Sequence, residues 1–206
     1  MTIYALSSGA GVSGVAIIRI SGPETKNVLK SLTKKEIPQS RVATLRKINN
    51  INNSELIDEG LILWFPGPES YTGEDMAEIH VHGGHAVVTS VQNEISSIKN
   101  CRLAEPGEFT RLAFENGKIN LLKAESIGDL ITAETEMQRQ QAVKIMQGNS
   151  SEKFNKLREK LLKILSFVEA KIDFPEEELP DENIEKIKVD SNNALTEIKK
   201  ILNDQK

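Results

Sequence analysis

Glycine is distributed unevenly along this 206-residue chain: of thirteen, only Gly128 and Gly148 lie beyond Asn120. Glycine supplies tight corners and weakens helices, so the chain divides into a corner-rich segment, residues 1–119, and a helical segment, residues 120–206. In the second segment Phe154, Leu157, Leu161, Ile164, Leu165, Val168 and Ile172 recur at three- and four-residue steps. That period places them on one stripe of a helix from about 151 to 173. Ala124, Ile127, Ile131, Ala142, Ile145 and Met146 are expected to face this stripe from a single helix over about 121–147, which "QGNSS" ends. A third helix, "NIEKIKVDSNNALTEIKKIL", is expected after "FPEEELPDEN", whose Glu176, Glu177, Glu178, Asp181 and Glu182 read as a solvated loop and first-turn charges. Helices without their full set of partners leave an apolar stripe exposed, which favours association or disorder near the C-terminus.

The first segment alternates strand-like and helix-like runs. "VAIIRI" (15–20), "GLILWF" (60–65) and "AEIHV" (77–81) are rich in β-branched and aromatic residues and bounded by Gly or Pro. "SGPETKNVLKSL" reads as a helix with Ser21 as N-cap and Pro23 near its first position. "GGHAVVTSVQNEISSI" and "PGEFTRLAFENG" read as two more. The expected class is therefore α+β with mainly antiparallel strands, followed by an all-α segment.

Charge and cysteine content narrow the setting. The net charge is −4 and no stretch gathers Lys and Arg into a phosphate-neutralising stripe. A single cysteine, Cys101, excludes an internal disulfide framework and a Cys-rich zinc site. Neither a signal peptide nor a run of about 20 apolar residues is present. A cytoplasmic protein without membrane contact is expected.

Some motifs mislead. "GAGVSG" (Gly9, Gly11, Gly14) spells the dinucleotide fingerprint, but the fingerprint works only between a strand and a helix, and here the strand "VAIIRI" follows. The phosphate loop G-x-x-x-x-G-K-S/T does not occur, so these residues alone are not expected to hydrolyse GTP. All three histidines, His80, His82 and His85, fall within "HVHGGH". Alternation puts His80 and His82 on one strand face, with His85 at a helix start. Zinc, a general base or a ligand-lining corner could each use them, but no Cys or second cluster completes a zinc site.

"RLAEPGEFTRLAFENGKINLLKAESIGDLI" (102–131) is more specific: Pro106-Gly107 turns, Glu108 opens a short helix, Asn116-Gly117 ends it, and Asn120 can cap the next. Glu105, Glu108, Arg111 and Lys118 make it dense in charge for a connector. Here the chain resembles the tRNA modification GTPase family MnmE (TrmE). The resemblance is carried by "GVAIIRISGP" (14–23), "LWFPGPESYTGEDMAEIHVHGG" (63–84), "LAEPGEFTRLAFENGKINLLKAESIGDLI" (103–131) and "VEAKIDFPEE" (168–177), in the family's order.

The resemblance implies a mixed α/β folate-binding, dimerising domain similar to glycine-cleavage T-protein, residues 1–119, and the first part of a helical domain, residues 120–206, ending where a GTPase domain is normally inserted. It implies a tetrahydrofolate one-carbon donor, 5-formyl or 5,10-methylene, with Arg19, Glu78 and Lys118 as its contacts. A carboxylate suits the paired N–H donors of a pterin edge, and cations suit the glutamate tail or a carbonyl oxygen. His82, Gly83 and Gly84 fall on the family's HGG corner and are expected to scaffold the site, whereas His80 and His85 lie outside the pattern. No residue of this chain is expected to be catalytic or to bind metal.

GTP, magnesium and potassium are implied only through the GTPase domain. A homodimer, the flavoprotein MnmG and tRNA are the implied partners, in adding a (carboxymethyl)aminomethyl group to C5 of the wobble uridine. Asn120 departs from the family Asp, and Cys101 is not the family's C-terminal cysteine. Two rivals remain: a dimerisation and docking module that no longer holds folate, and a stand-alone one-carbon enzyme, for which no nucleophile-base pair is apparent.

Overall fold

In the computed structural model of the chain, residues 1–173 and 181–203 are described. Contacts divide the chain into two units, Met1–Ala124 and Glu125–Lys206. The first carries six strands, β1 (Thr2–Leu6), β2 (Ser13–Ser21), β3 (Thr44–Asn49), β4 (Leu56–Phe65), β5 (Met76–Gly83) and β6 (Cys101–Leu103). They form one sheet in the order β3-β4-β5-β2-β1-β6. Every neighbouring pair is antiparallel except β1 with β6. Three helices accompany it, α1 (Thr25–Thr33), α2 (His85–Ser96) and α3 (Glu108–Glu115).

Strand alternation decides which residues meet the helices. In β2, Ala16, Ile18 and Ile20 are buried, and in β5 Ala77, Ile79 and Val81 are. They join Ile62 and Trp64 of β4, Val28, Leu29 and Leu32 of α1, and Val91 and Ile95 of α2 in one core. Each large aliphatic side chain there contributes about 1.5–3 kcal/mol through burial. The intervening residues, including Ile17, Arg19, Glu78 and His80, belong to the opposite face by the same alternation.

The three expected strands are present, each longer than the sequence pattern suggests, while β1, β3 and β6 have no such pattern to announce them. β1 and β6 are short, and β3 sets the consecutive charges Arg46 and Lys47 between Leu45 and Ile48 at a sheet edge, so their pairing comes from tertiary context rather than local composition. Ser21 does not cap α1. It closes β2, with its hydroxyl 2.7 Å from that of Thr72 and 3.1 Å from Glu74 Oε2. The helix begins two residues beyond Pro23, where the Thr2 hydroxyl of β1 accepts the Glu24 N–H at 2.8 Å. A strand residue thus supplies the cap that local spacing assigns to Ser21.

The second unit is helical, with α5 (Glu136–Met146), α6 (Asn149–Asp173) and α7 (Asp181–Asn203). The helix α4 (Leu121–Thr132) spans the boundary between the units. Asn120 opens α4 by accepting the Lys123 N–H at 2.8 Å, the capping role expected of it. The single helix expected over 121–147 is broken. Thr135 starts α5 with a capping box closed by Gln138, which favours a fresh N-terminus over continuation. The break also removes the phase that would align Ile131 with Ala142, and Ile131 is 78% exposed. The stripe on α6 is consequently covered only in part: Leu161, Leu165 and Ile172 are all exposed. Lys160 of α6 pairs with Glu197 of α7 at 2.6 Å. Glu176, Glu177 and Glu178 lie outside the described residues, as do the side chains of Asp181 and Glu182.

Candidate functional site

β2 and β5 are adjacent and antiparallel, and their register sets Arg19 directly opposite Glu78. Opposed side chains on one sheet face lie within reach of each other. Arg19 donates to a single carboxylate oxygen, Glu78 Oε1, from Nε at 3.0 Å and Nη2 at 2.7 Å. The other oxygen, Oε2, lies 3.5 Å from His80 Nε2. The pair is neither buried nor bathed in water: the side chains are 29% and 17% exposed. Charge-assisted bonds in such a setting hold their geometry while leaving the groups accessible.

Two aromatic rings border the same guanidinium. Arg19 Cζ is 5.6 Å from the ring centroid of Tyr71 and 5.7 Å from that of Phe109, within the range of cation–π attraction. Tyr71 comes from the loop between β4 and β5, Phe109 from the first turn of α3, and the Tyr71 hydroxyl meets Thr110 Oγ1 at 3.0 Å. The loop is tied down at several points. The Gly67 N–H donates to Asp75 Oδ1 at 3.0 Å, the Ser70 hydroxyl to the Glu74 carbonyl at 2.5 Å, and Asn116 Nδ2 to the Thr72 carbonyl at 2.7 Å. Lys118 runs along this loop: a Cβ on Gly73 would lie 3.4 Å from Lys118 Cγ. Of the three expected contacts, the structure joins Arg19 and Glu78 and sets Lys118 against the segment that carries Tyr71.

The HGG corner holds the end of β5 in place. His82 donates its backbone N–H to Asp58 Oδ2 at 2.8 Å, and its Nδ1 lies 2.8 Å from Asp58 Oδ1. Burial pushes the Asp58 carboxyl up, but the His82 backbone and ring, with the Glu59 N–H, hold it below the usual carboxylate value. Gly83 has a steric reason to be glycine, because a Cβ there would sit 2.5 Å from the Ser13 carbonyl oxygen. Gly84 is the extended N-cap of α2, and His85 is the first residue of that helix. Among the described residues no group of three or more His, Cys, Asp or Glu could hold a metal ion, and no helix is long and apolar enough to cross a membrane.

Sequence reasoning missed Tyr71, Phe109 and Asp58. Tyr71 had a signal, as an aromatic residue among the turn-formers of "PGPESYTGED", where no core is expected to claim it. Asp58 had none, since 24 positions separate it from His82. The dense charge around Glu105–Arg111 belongs to a clamp beside the site. Arg102 holds both oxygens of Glu108, which also accept the Glu105 N–H at 2.8 Å and Arg111 Nη2 at 3.2 Å.

Comparison with known proteins finds two family matches in succession. Residues 2–118 match the family described as GTP-binding protein TrmE N-terminus, and residues 121–206 match the MnmE helical domain. The chain belongs to the MnmE (TrmE) family. It is 70% identical over 206 residues to the tRNA modification GTPase MnmE of Pelagibacter ubique, covering 100% of this chain and 46% of that protein. The MnmE of Parvibaculum lavamentivorans is 43% identical over 203 residues, covering 98% and 46%. A mitochondrial 5-taurinomethyluridine tRNA synthase subunit of Homo sapiens is 48% identical over 184 residues, covering 89% and 37%. The chain thus spans less than half the length of these MnmE relatives.

Proposed function

We propose that this chain is the folate-binding and dimerising part of an MnmE-type protein acting in tRNA wobble-uridine modification. The observation that supports it is the Arg19–Glu78 pair, in register on two strands and bordered by Tyr71, Phe109 and the Lys118-lined loop. This donor set fits a reduced folate. Glu78 accepts the paired N–H groups of the pterin edge, while Arg19 and Lys118 meet carbonyl or tail carboxylate oxygens. The bound folate, 5-formyl- or 5,10-methylene-tetrahydrofolate, supplies the one-carbon unit. The residues of this chain bind and orient it, and GTP hydrolysis with magnesium and potassium falls to a GTPase domain, the activity for which the MnmE relatives are named. The MnmG flavoprotein and tRNA are the partners in this reading.

A second copy of the chain is the proposed occupant of the sheet face opposite the core formed with α1 and α2. Leu45, Leu61, His80 and Ile17 form one continuous row across β3, β4, β5 and β2. Leu45 and Leu61 are exposed, as is Val15, two residues before Ile17 on β2. Exposed apolar rows of this kind mark association surfaces. The site residues occupy the neighbouring row, so pairing through this face sets the two folate sites near the two-fold axis.

Calorimetry with 5-formyltetrahydrofolate tests the reading, with sedimentation velocity run in parallel. A dimer that binds the ligand, and binds it at least about tenfold more weakly after Glu78→Ala, is the expected result. A dimer with no measurable binding leaves the docking-module alternative standing instead.

A further inference from the structure

We infer that Glu78, Tyr71 and Phe109 together form a guanidine-recognition site, that Arg19 is its internal occupant in the free protein, and that the 2-aminopyrimidinone edge of a reduced pterin displaces it. The inference rests on the folate reading for its ligand class and has a probe of its own. The N1–C2(NH2)–N3 unit of a pterin is a guanidine built into a ring. It is flat, and it offers two parallel N–H donors, as the arginine fork does. The features that hold Arg19 are a carboxylate in front and two aromatic faces beside it. These are also the features that select a flat, donor-edged heterocycle.

Competition follows from oxygen usage. Both Arg19 bonds end on Glu78 Oε1, whereas a paired contact to the pterin edge needs Oε1 and Oε2 together. Arg19 must release its oxygen before that contact forms. Once released it remains a cation on the same strand face, free to meet a carboxylate of the folate tail. Tyr71 and Phe109 then pack on the ring in place of the guanidinium. Arg19 therefore opposes binding of the bare ring and assists binding of the whole folate.

The two effects separate by ligand. Calorimetry on the 206-residue chain would compare tetrahydropterin, which lacks the tail, with 5-formyltetrahydrofolate. Removing one partly exposed ion pair and two cation–π contacts should tighten tetrahydropterin binding in Arg19→Met by about fivefold. The same substitution should weaken 5-formyltetrahydrofolate. Phe109→Leu and Tyr71→Leu should weaken both, and Tyr71→Phe neither. Tetrahydropterin affinity that is unchanged or lower in Arg19→Met overturns the inference, and if 5-formyltetrahydrofolate still binds the wild type, the folate reading survives. Tighter tetrahydropterin binding with no 5-formyltetrahydrofolate binding upholds the inference and removes the folate reading, and no binding of either ligand removes both. Should Arg19→Met fail to fold, Phe109→Leu decides, because undiminished tetrahydropterin affinity there overturns the aromatic site.

Discussion

Arg19 and Glu78, 59 positions apart in sequence, face each other across β2 and β5, and one carboxylate oxygen takes both arginine bonds. Both side chains keep some contact with water, so solvent screening limits what the pair contributes to stability. A double-mutant cycle with Arg19→Met and Glu78→Gln, followed by urea denaturation, should give a coupling of about 1 kcal/mol. A coupling of zero would mean that the pair is held by the strands and the rings rather than by its own attraction.

Glu108 is the group most shifted by its surroundings in this region. Hydrogen bonding from Arg102 outweighs burial and, with the Glu105 N–H and the charges of Arg102 and Arg111, pushes its pKa from 4.5 down to about 2. A carboxylate depressed on folding stabilises the protein fully above its unfolded pKa. That contribution fades as pH falls from about 4.5 towards 2. Stability of the wild type should therefore drop across that window more steeply than stability of Glu108→Gln. At neutral pH the variant should be less stable by roughly 1–3 kcal/mol, and the gap should close in acid. Urea midpoints measured from pH 7 to pH 2 would show it, and a gap independent of pH would contradict the assignment.

The parts of the fold legible in sequence are those fixed by local period. The strands of the apolar runs, α2, α3, α6 and α7 follow from alternation and three-to-four spacing. So does rejection of a dinucleotide loop at "GAGVSG", whose last two residues already belong to strand β2. The unread parts depend on partners remote in sequence. β3 and β6 are strands because a neighbour's edge accepts them, and the α1 cap comes from Thr2. At the site, the motif resemblance pointed to Arg19, Glu78 and Lys118, but which oxygen meets which nitrogen is set by strand register. Tyr71 and Phe109 reach Arg19 only because the β4–β5 loop and α3 are bound together through Thr110 and Asn116. The split of α4 from α5 was not read, although Thr135 and Gln138 spell a capping box inside the helical period expected over 121–147.

Gly83 shows how tightly β5 meets β2 at the corner. A methyl group there would lie 2.1 Å from the Ser13 hydroxyl oxygen and 2.5 Å from its carbonyl oxygen. The hydroxyl can rotate away and the carbonyl cannot. Gly83→Ala should cost about 1–3 kcal/mol, read as a lower urea midpoint. Gly84→Ala, where the nearest such contact is Val87 Cγ2 at 3.9 Å, should be far milder. Equal effects at the two positions would show that the corner needs backbone freedom rather than space.

Thr135 decides whether the second unit has two helices or one at this point. Its side chain accepts the Gln138 N–H at 3.2 Å, and Gln138 Oε1 accepts the Thr135 N–H at 2.9 Å, so each residue satisfies an amide that the N-terminus of α5 would otherwise leave open. Glu134 also donates its N–H to Gln138 Oε1 at 2.9 Å, which fixes the approach to α5. Thr135→Ala removes the acceptor while improving intrinsic helix propensity, so the two effects oppose each other. Loss of the cap dominates, because it exposes amides that a continuous helix could satisfy only by rebuilding residues 133–135 into α geometry. The variant should lose about 1 kcal/mol, with faster amide exchange at Gln138 and Arg139. Unchanged stability together with higher helix content by circular dichroism would mean instead that α4 and α5 fuse once the cap is gone.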